Sequence, residues 1–322
     1  MTIRTPIVLA LNFLSIILSK NIFGQKPLDK QILWTADWSP NGEHIAIGGN
    51  VDSLKIYKHE NFKIHTSIPV KNTVTRIKWH PSLNVIAVTT QLSESKSFII
   101  NLETNQKIEL NSIAADGARG VDWNYTGEYL AVADNDGQIL IYTIQGKLIK
   151  KISSHVNSAK SLTAIDWHPS KNIFATVGEF IFIMDIEGNL IKQIRHREQE
   201  ELILSIAWHK SGDFFVTGDY GDEINKSLLQ FWTEQGELIK TMDVSKGEYR
   251  NLAWNAKGSR LASASDALRI WDVKGNLIAE GYSEDYLWGV SWNKKGDKIV
   301  TSSIAQNIVL WNNKAKKIKV LE

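Results

Sequence analysis

The sequence predicts an all-β chain of seven four-stranded antiparallel sheets closed into a ring, a seven-bladed β-propeller. Three observations lead there. Seven segments align on one tryptophan, ADWSPNG, IKWHPSL, VDWNYTG, IDWHPSK, IAWHKSG, LAWNAKG and VSWNKKG, with anchors Trp38, Trp79, Trp123, Trp167, Trp208, Trp254 and Trp292. The anchors lie 41, 44, 44, 41, 46 and 38 residues apart, a period at which one repeat is one supersecondary unit. Within the units apolar residues alternate with a period of two, and no helical period occurs.

Each unit reads as four strands in order. Strand a carries an apolar residue two before its anchor (Ala36, Ile77, Val121, Ile165, Ile206, Leu252, Val290) and ends in turn residues such as Pro-Asn-Gly or Lys-Lys-Gly. Strand b is a short run such as HIAIGG, YLAVAD or RLASAS, and strand c ends in an aromatic or aliphatic residue, as in LKIY, LQFW and IVLW. Strand d follows a glycine turn in GKLIKKI, GNLIKQI, GELIKTM and GNLIAEG. A four-stranded sheet cannot cover its own two apolar faces, so successive sheets stack, and a ring leaves no end face bare. The C-terminal KKIKVLE, residues 316–322, reads as strand d of blade 7. The matching strand ahead of blade 1 would fall near residues 21–27, so interlocking of both chain ends in one blade is expected to be reduced or absent.

This organisation resembles the WD-repeat β-propeller family from about residue 28 onward. The likeness rests on the tryptophan ending strand a, the small residues of strand b and the aromatic-Asp ending of strand c in RIWDVKG, residues 269–275. Trp271-Asp272 is the one Trp-Asp pair, and no Gly-His dipeptide occurs. The buried Asp-His-Ser-Trp network of many family members is therefore not carried over, and aromatic packing is expected in its place.

Residues 1–24 differ from the rest. Arg4 precedes the apolar run PIVLALNFLSIILS, residues 6–19, which is short for a membrane span and suited to an export signal. The expectation is a signal peptide over 1–24, a propeller over 25–322, an exported (periplasmic or secreted) protein and no integral membrane span after cleavage; the alternative is an anchor over residues 6–23. Beyond residue 24 the chain has 35 basic and 35 acidic residues, which gives no general attraction for nucleic acid. With no cysteine, disulfides and thiolate metal sites are excluded.

Few residues suggest chemistry. His80, His168 and His209 follow anchors on different blades, too far apart to share one metal ion, and Asn124, Asn255, Asn293 and Ser39 fill the same slot, so a turn cap is expected. Asp37, Asp122 and Asp166, one before their anchors, read as solvated channel walls, and the acids of GDYGDEINKS, residues 218–227, as a solvated loop. No nucleophile elbow, phosphate loop or metalloprotease signature appears. No catalytic residue, metal or cofactor is expected.

The family resemblance places the residues four and six before each anchor at the narrow top of the ring, where partners dock. These include Ile32, Trp34, Arg119, Leu202, Leu204, Glu248, Arg250, Tyr286 and Trp288. Trp34 in ILWTADW and Trp288 in YLWGVSW, on blades 1 and 7, should meet when the ring closes, and aromatic residues with arginine are enriched at binding hot spots. The expectation is a non-enzymatic scaffold for a protein or peptide. Two alternatives stand beside it: the tryptophans plug the seam, or an enzymatic, small-ligand or metal site occupies the channel mouth.

Overall fold

The computed structural model describes residues 31–91, 96–153, 161–197, 201–221 and 226–321. Among them 28 strands form seven antiparallel sheets of four, each in the order a-b-c-d, with no helix. The strands a are Leu33–Trp38, Thr73–Trp79, Ala118–Trp123, Ala164–Trp167, Ile203–Trp208, Asn251–Trp254 and Leu287–Trp292. Lys317–Leu321 pairs with Ile308–Asn312 as strand d of blade 7. The expected export segment 1–24, the anchor 6–23 and the strand near 21–27 lie outside the described residues.

The core lies between the blades. Strand b is small and apolar because both of its faces are covered: Ala46, Leu54 and Ile56 of blade 1 pack with Val74, Ile77, Trp79 and Phe98 of blade 2. Ile45 and Tyr57 of blade 1 pack with Val300 and Leu310 of blade 7, which closes the ring. Each fully buried Leu, Ile or Phe contributes about 1.5–3 kcal/mol. Strand d lies outermost, so residues such as Ile191 and Ile239 remain exposed.

The anchors tie blade to blade. The indole N–H of Trp79 donates to Asp37 O at 3.2 Å, Trp123 to Lys78 O at 3.3 Å, Trp167 to Asp122 O at 3.1 Å, Trp254 to Ala207 O at 3.4 Å and Trp292 to Ala253 O at 3.0 Å. Each acceptor is the residue before the previous blade's anchor. Among the described residues Trp208 finds no acceptor for its buried indole N–H. At the seam Trp38 donates instead to Gly42 O of its own blade at 3.3 Å. There the Ser291 hydroxyl completes the closure, accepting from Trp38 N–H at 3.0 Å and donating to Asp37 Oδ1 at 2.9 Å.

The channel acids serve the same purpose. Asp37, Asp122 and Asp166 accept the backbone N–H of the next blade's anchor, Trp79 at 3.2 Å, Trp167 at 2.8 Å and Trp208 at 2.6 Å. Lys78 stands where blade 2 lacks an acid, with Nζ 3.3 Å from Asp122 and 3.6 Å from Asp166. Burial raises Asp37 above the ordinary carboxylate value; burial and then the charge of Asp122 raise Asp166. Burial works against the charge of Lys78, but Asp122, Asp166 and Asp37 outweigh it and hold its ammonium above the usual value. Asp37, Lys78 and Asp166 line a chamber of about 220 Å³.

The residue after each anchor caps the a–b turn. His80 Nδ1 accepts Ser82 and Leu83 N–H at 3.2 and 3.1 Å, and His168 Nδ1 accepts Ser170 and Lys171 N–H at the same distances. His209 Nδ1 accepts Ser211 N–H at 3.2 Å. Asn124, Asn255 and Asn293 accept through Oδ1, and Ser39 through its hydroxyl. Two histidines also bridge blades: His80 Nε2 lies 3.1 Å from Gly127 O and His209 Nε2 2.7 Å from Gly258 O.

One expectation needs correction. The buried polar network persists in part, because it does not require a Gly-His dipeptide. Trp232, Trp271 and Trp311 of strand c donate to Thr217, Ser263 and Thr301 of strand b at 2.9, 3.0 and 2.8 Å. Between blades 4 and 5 His196, preceded by arginine, brings Nε2 within 3.3 Å of Asp219 Oδ2 without a hydrogen bond among the described residues, and Arg197 pairs with the same carboxylate.

Two predictions follow from these ties. Lys78→Met leaves Asp122 and Asp166 without the ammonium that they share. Because Lys78 keeps 35% of its side-chain surface accessible, the expected loss is about 1 kcal/mol. Asp166→Asn should restore much of it, and a denaturant series showing no loss in the single variant would remove the charge coupling. Burial lowers His80 and His168 below the ordinary imidazole value of 6.5. The folded chain therefore binds fewer protons there than the unfolded chain, so their contribution is present above pH 6.5 and is lost as pH falls. Replacing both by Asn, as blades 3, 6 and 7 have it, should flatten the fall of Tm between about pH 7 and pH 5; an unchanged slope would assign the acid sensitivity elsewhere.

Candidate functional site

The mouth of the channel is built by an irregularity in strand a. In five blades the a–b pairing skips one residue: it passes from Leu33 to Thr35, Val74 to Arg76, Ala118 to Gly120, Ile203 to Ser205 and Leu287 to Gly289. The skipped residues are Trp34, Thr75, Arg119, Leu204 and Trp288, each four before its anchor. A bulge of this kind leaves the extra residue outside the ladder and re-aims its side chain. Thr163 and Arg250 hold the same place just ahead of the shorter strands of blades 4 and 6, with their N–H groups bonded to Val177 O at 2.8 Å and Ala264 O at 3.1 Å. All seven residues, with Arg76, line one cavity of about 30 Å³. Gly120 and Gly289 follow two of the bulges. A Cβ there would stand 3.0 Å from the Ala164 backbone and 2.5 Å from the Ala36 backbone, so glycine lets the next blade's inner strand approach.

The side chains at the mouth form a row of aromatic and cationic contacts. Trp34 and Trp288 meet across the seam edge to face, with centroids 4.9 Å apart and planes at 89°, a pairing that contributes about 0.5–1.5 kcal/mol beyond its area. Arg250 lies with its guanidinium carbon 4.2 Å from the Trp288 ring centroid and 5.8 Å from that of Tyr220. Arg119 lies 5.8 Å from Trp34. The row Tyr220–Arg250–Trp288–Trp34–Arg119 thus crosses the mouth from blade 5 to blade 3. Burial, and then the positive charge of Arg250, push Arg76 and Arg119 down to about 10, with Asp37 and Asp166 opposing the shift at Arg76. Arg250 Nε also donates to Glu248 Oε1 at 2.6 Å.

The two sets of positions read from the sequence part company here. Those four before the anchor line the cavity, whereas those six before it take no part in its lining. Ile32 is half-buried and its carbonyl accepts Asn50 N–H at 3.0 Å; the Leu202 carbonyl accepts Tyr220 N–H at 2.8 Å. Glu248 holds Arg250. Tyr286 is 45% exposed, and its ring lies 3.6 Å from where a Cβ of Gly247 would stand.

Sequence reasoning missed Arg76 and Tyr220. Arg76 lies three before its anchor, and a regular strand would turn it away from its neighbour at four; the bulge at Thr75 removes that alternation. Tyr220 lies in the loop singled out for its acids. Of those acids Asp219 is engaged with Leu228 N–H at 2.6 Å and with Arg197, while Asp222 and Glu223 lie outside the described residues. Among the described residues no group of three His, Asp or Glu is placed to hold a metal ion, and no helix is long and apolar enough to cross a membrane.

Comparison with known proteins bears on this geometry. The family model of the WDR19 first β-propeller matches residues 34–204, more than half of the chain. The chain is 22% identical to the intraflagellar transport protein 80 homolog of Mus musculus over 180 residues, 55% of this chain and 22% of that protein. It is 26% identical to WD repeat-containing protein 19 of Homo sapiens over 218 residues, 62% of this chain and 16% of the relative. With the F-box-like/WD repeat-containing protein TBL1X of Mus musculus it shares 24% identity over 151 residues, 40% and 28% of the two chains. The match spans less than a third of the length of each of these curated relatives.

These relatives overturn the exported localisation expected from residues 1–24: the first is named for transport within the flagellum, not for export. A short apolar run after one basic residue has the composition of an export signal whatever its use, which is why the sequence pointed there. The tryptophan period, the seven-bladed ring and the matched region agree that the chain belongs to the WD-repeat β-propeller family represented by the first propeller of WDR19.

Proposed function

We propose that this propeller is a non-enzymatic scaffold that holds a protein or peptide partner on its mouth face. Trp34, Trp288, Arg119, Arg250 and Leu204 form the centre of the site, and Ile32, Leu202, Glu248 and Tyr286 its surround. The observation that carries the reading is the aromatic and arginine row across the mouth, flanked by Tyr220 and Tyr286, which are 40% and 45% exposed. Large amphipathic rings beside guanidinium groups concentrate binding energy at protein interfaces. The relatives add support, since they are named for transport and for WD repeats and not for a reaction.

Trp34 and Trp288 act both as seam and as floor. Trp288 is 8% exposed, so its truncation would open a cavity costing about 3–5 kcal/mol and would report on folding more than on binding. The test therefore uses the exposed tyrosines. A photo-crosslinking amino acid placed at Tyr220 or Tyr286 should capture a partner, whereas one at Tyr125, exposed in the a–b turn on the opposite face, should not. Crosslinks from Tyr125 alone would move the docking face to the other end of the channel.

A further inference from the structure

We infer that the mouth accepts the carboxylate of an acidic peptide, held by Arg76, Arg119 and Arg250 and by the indole N–H groups of Trp34 and Trp288. This rests on the scaffold reading above and names the chemistry of the partner. Three observations carry it. Arg76, Arg119 and Arg250 line one small cavity, and among the fourteen positions four and six before the anchors the single acid is Glu248, which accepts from Arg250.

The second observation concerns hydrogen-bonding sense. The hydroxyls at the mouth are already satisfied: Thr75 donates to Ala118 O at 2.6 Å and Thr163 to Val177 O at 3.0 Å. By contrast, the buried indole N–H groups of Trp34 and Trp288 have no acceptor among the described residues, and Trp288 is more than nine-tenths buried. These two tryptophans therefore bring unmatched donors to the mouth, and a buried donor left unmet costs about as much as a lost hydrogen bond. The third observation is size. A cavity of about 30 Å³ takes a group no larger than a carboxylate, and the exposed rings of Tyr220 and Tyr286 extend apolar surface beside it for the rest of a peptide.

A guanidinium fork bonds a carboxylate bidentately, and the pairing strengthens away from water. The depression of Arg76 and Arg119 by burial and by Arg250 fits a cluster of cations whose repulsion an incoming anion would relieve. The acids Asp37 and Asp166 lie in the chamber and are occupied by backbone N–H groups of the next blade. They attract Arg76 without filling the mouth.

Fluorescence anisotropy of labelled hexaglutamate, with hexalysine and a hexaphosphoserine peptide as separate arms, tests this on the full chain. Hexaglutamate should bind, weaken with added salt, and weaken about tenfold or more on Arg119→Gln or Arg250→Gln. Arg119→Lys and Arg250→Lys keep the charge but lose the fork; they should show a smaller loss and cover the case in which a Gln variant fails to fold. Lys316→Gln with Lys319→Gln, at the basic outer edge of blade 7, should leave binding unchanged. Absence of hexaglutamate binding, binding abolished by the outer lysines instead, or binding of the phosphoserine peptide alone would each overturn the inference. A partner crosslinked from Tyr286 that excess hexaglutamate does not displace would leave the scaffold standing and remove the carboxylate; hexaglutamate binding without any crosslinked partner would do the reverse.

Discussion

The fold depends on one contact repeated around the ring, the indole of a strand-a tryptophan reaching across to the carbonyl that precedes the previous blade's anchor. A net contribution of about 1 kcal/mol per hydrogen bond would not hold a ring alone. Its importance is positional: the bond fixes the height of each blade against the last, so that apolar faces meet in register. The carboxylates of Asp37, Asp122 and Asp166 do the same from the channel side, binding the next blade's anchor N–H. Where the indole bond is missing, at Trp208 and at the seam, another contact replaces it: Asp166 takes the Trp208 backbone N–H, and Ser291 links blade 7 to blade 1.

Most of this architecture was legible in the sequence because a repeat makes each inference seven times. The anchors Trp38 to Trp292, the capping slot filled by His80 or Asn124, and strand d at the C-terminal lysines could be read by alignment of the chain with itself. Failures arose where information lies outside the repeat. The residual polar network was missed because its histidine was sought by a dipeptide, whereas His196 and Asp219 meet through space. The composition of the first residues gave a localisation that relatives contradict.

The candidate site shows the same division. Alignment placed Trp34, Arg119, Arg250 and Trp288 at equivalent positions, and their convergence on one cavity follows from ring symmetry. Their separation from Ile32, Leu202, Glu248 and Tyr286 did not follow, since a regular strand would point positions four and six before the anchor the same way. The skipped pairing between strands a and b breaks that alternation, and no residue type announces it: Trp, Thr, Arg, Leu and Trp occupy the five bulges. Tyr220 enters from a b–c connection, a part of the unit that differs in length from blade to blade.

That indifference to residue type has a consequence for where the effect of a single exchange is felt. Thr75, Leu204 and Trp288 are buried although they stand outside the ladder, so each answers to its neighbours across the mouth and not to its own sheet. An exchange at one of these places therefore loads the hub of the ring first and leaves the pairing within its blade whole.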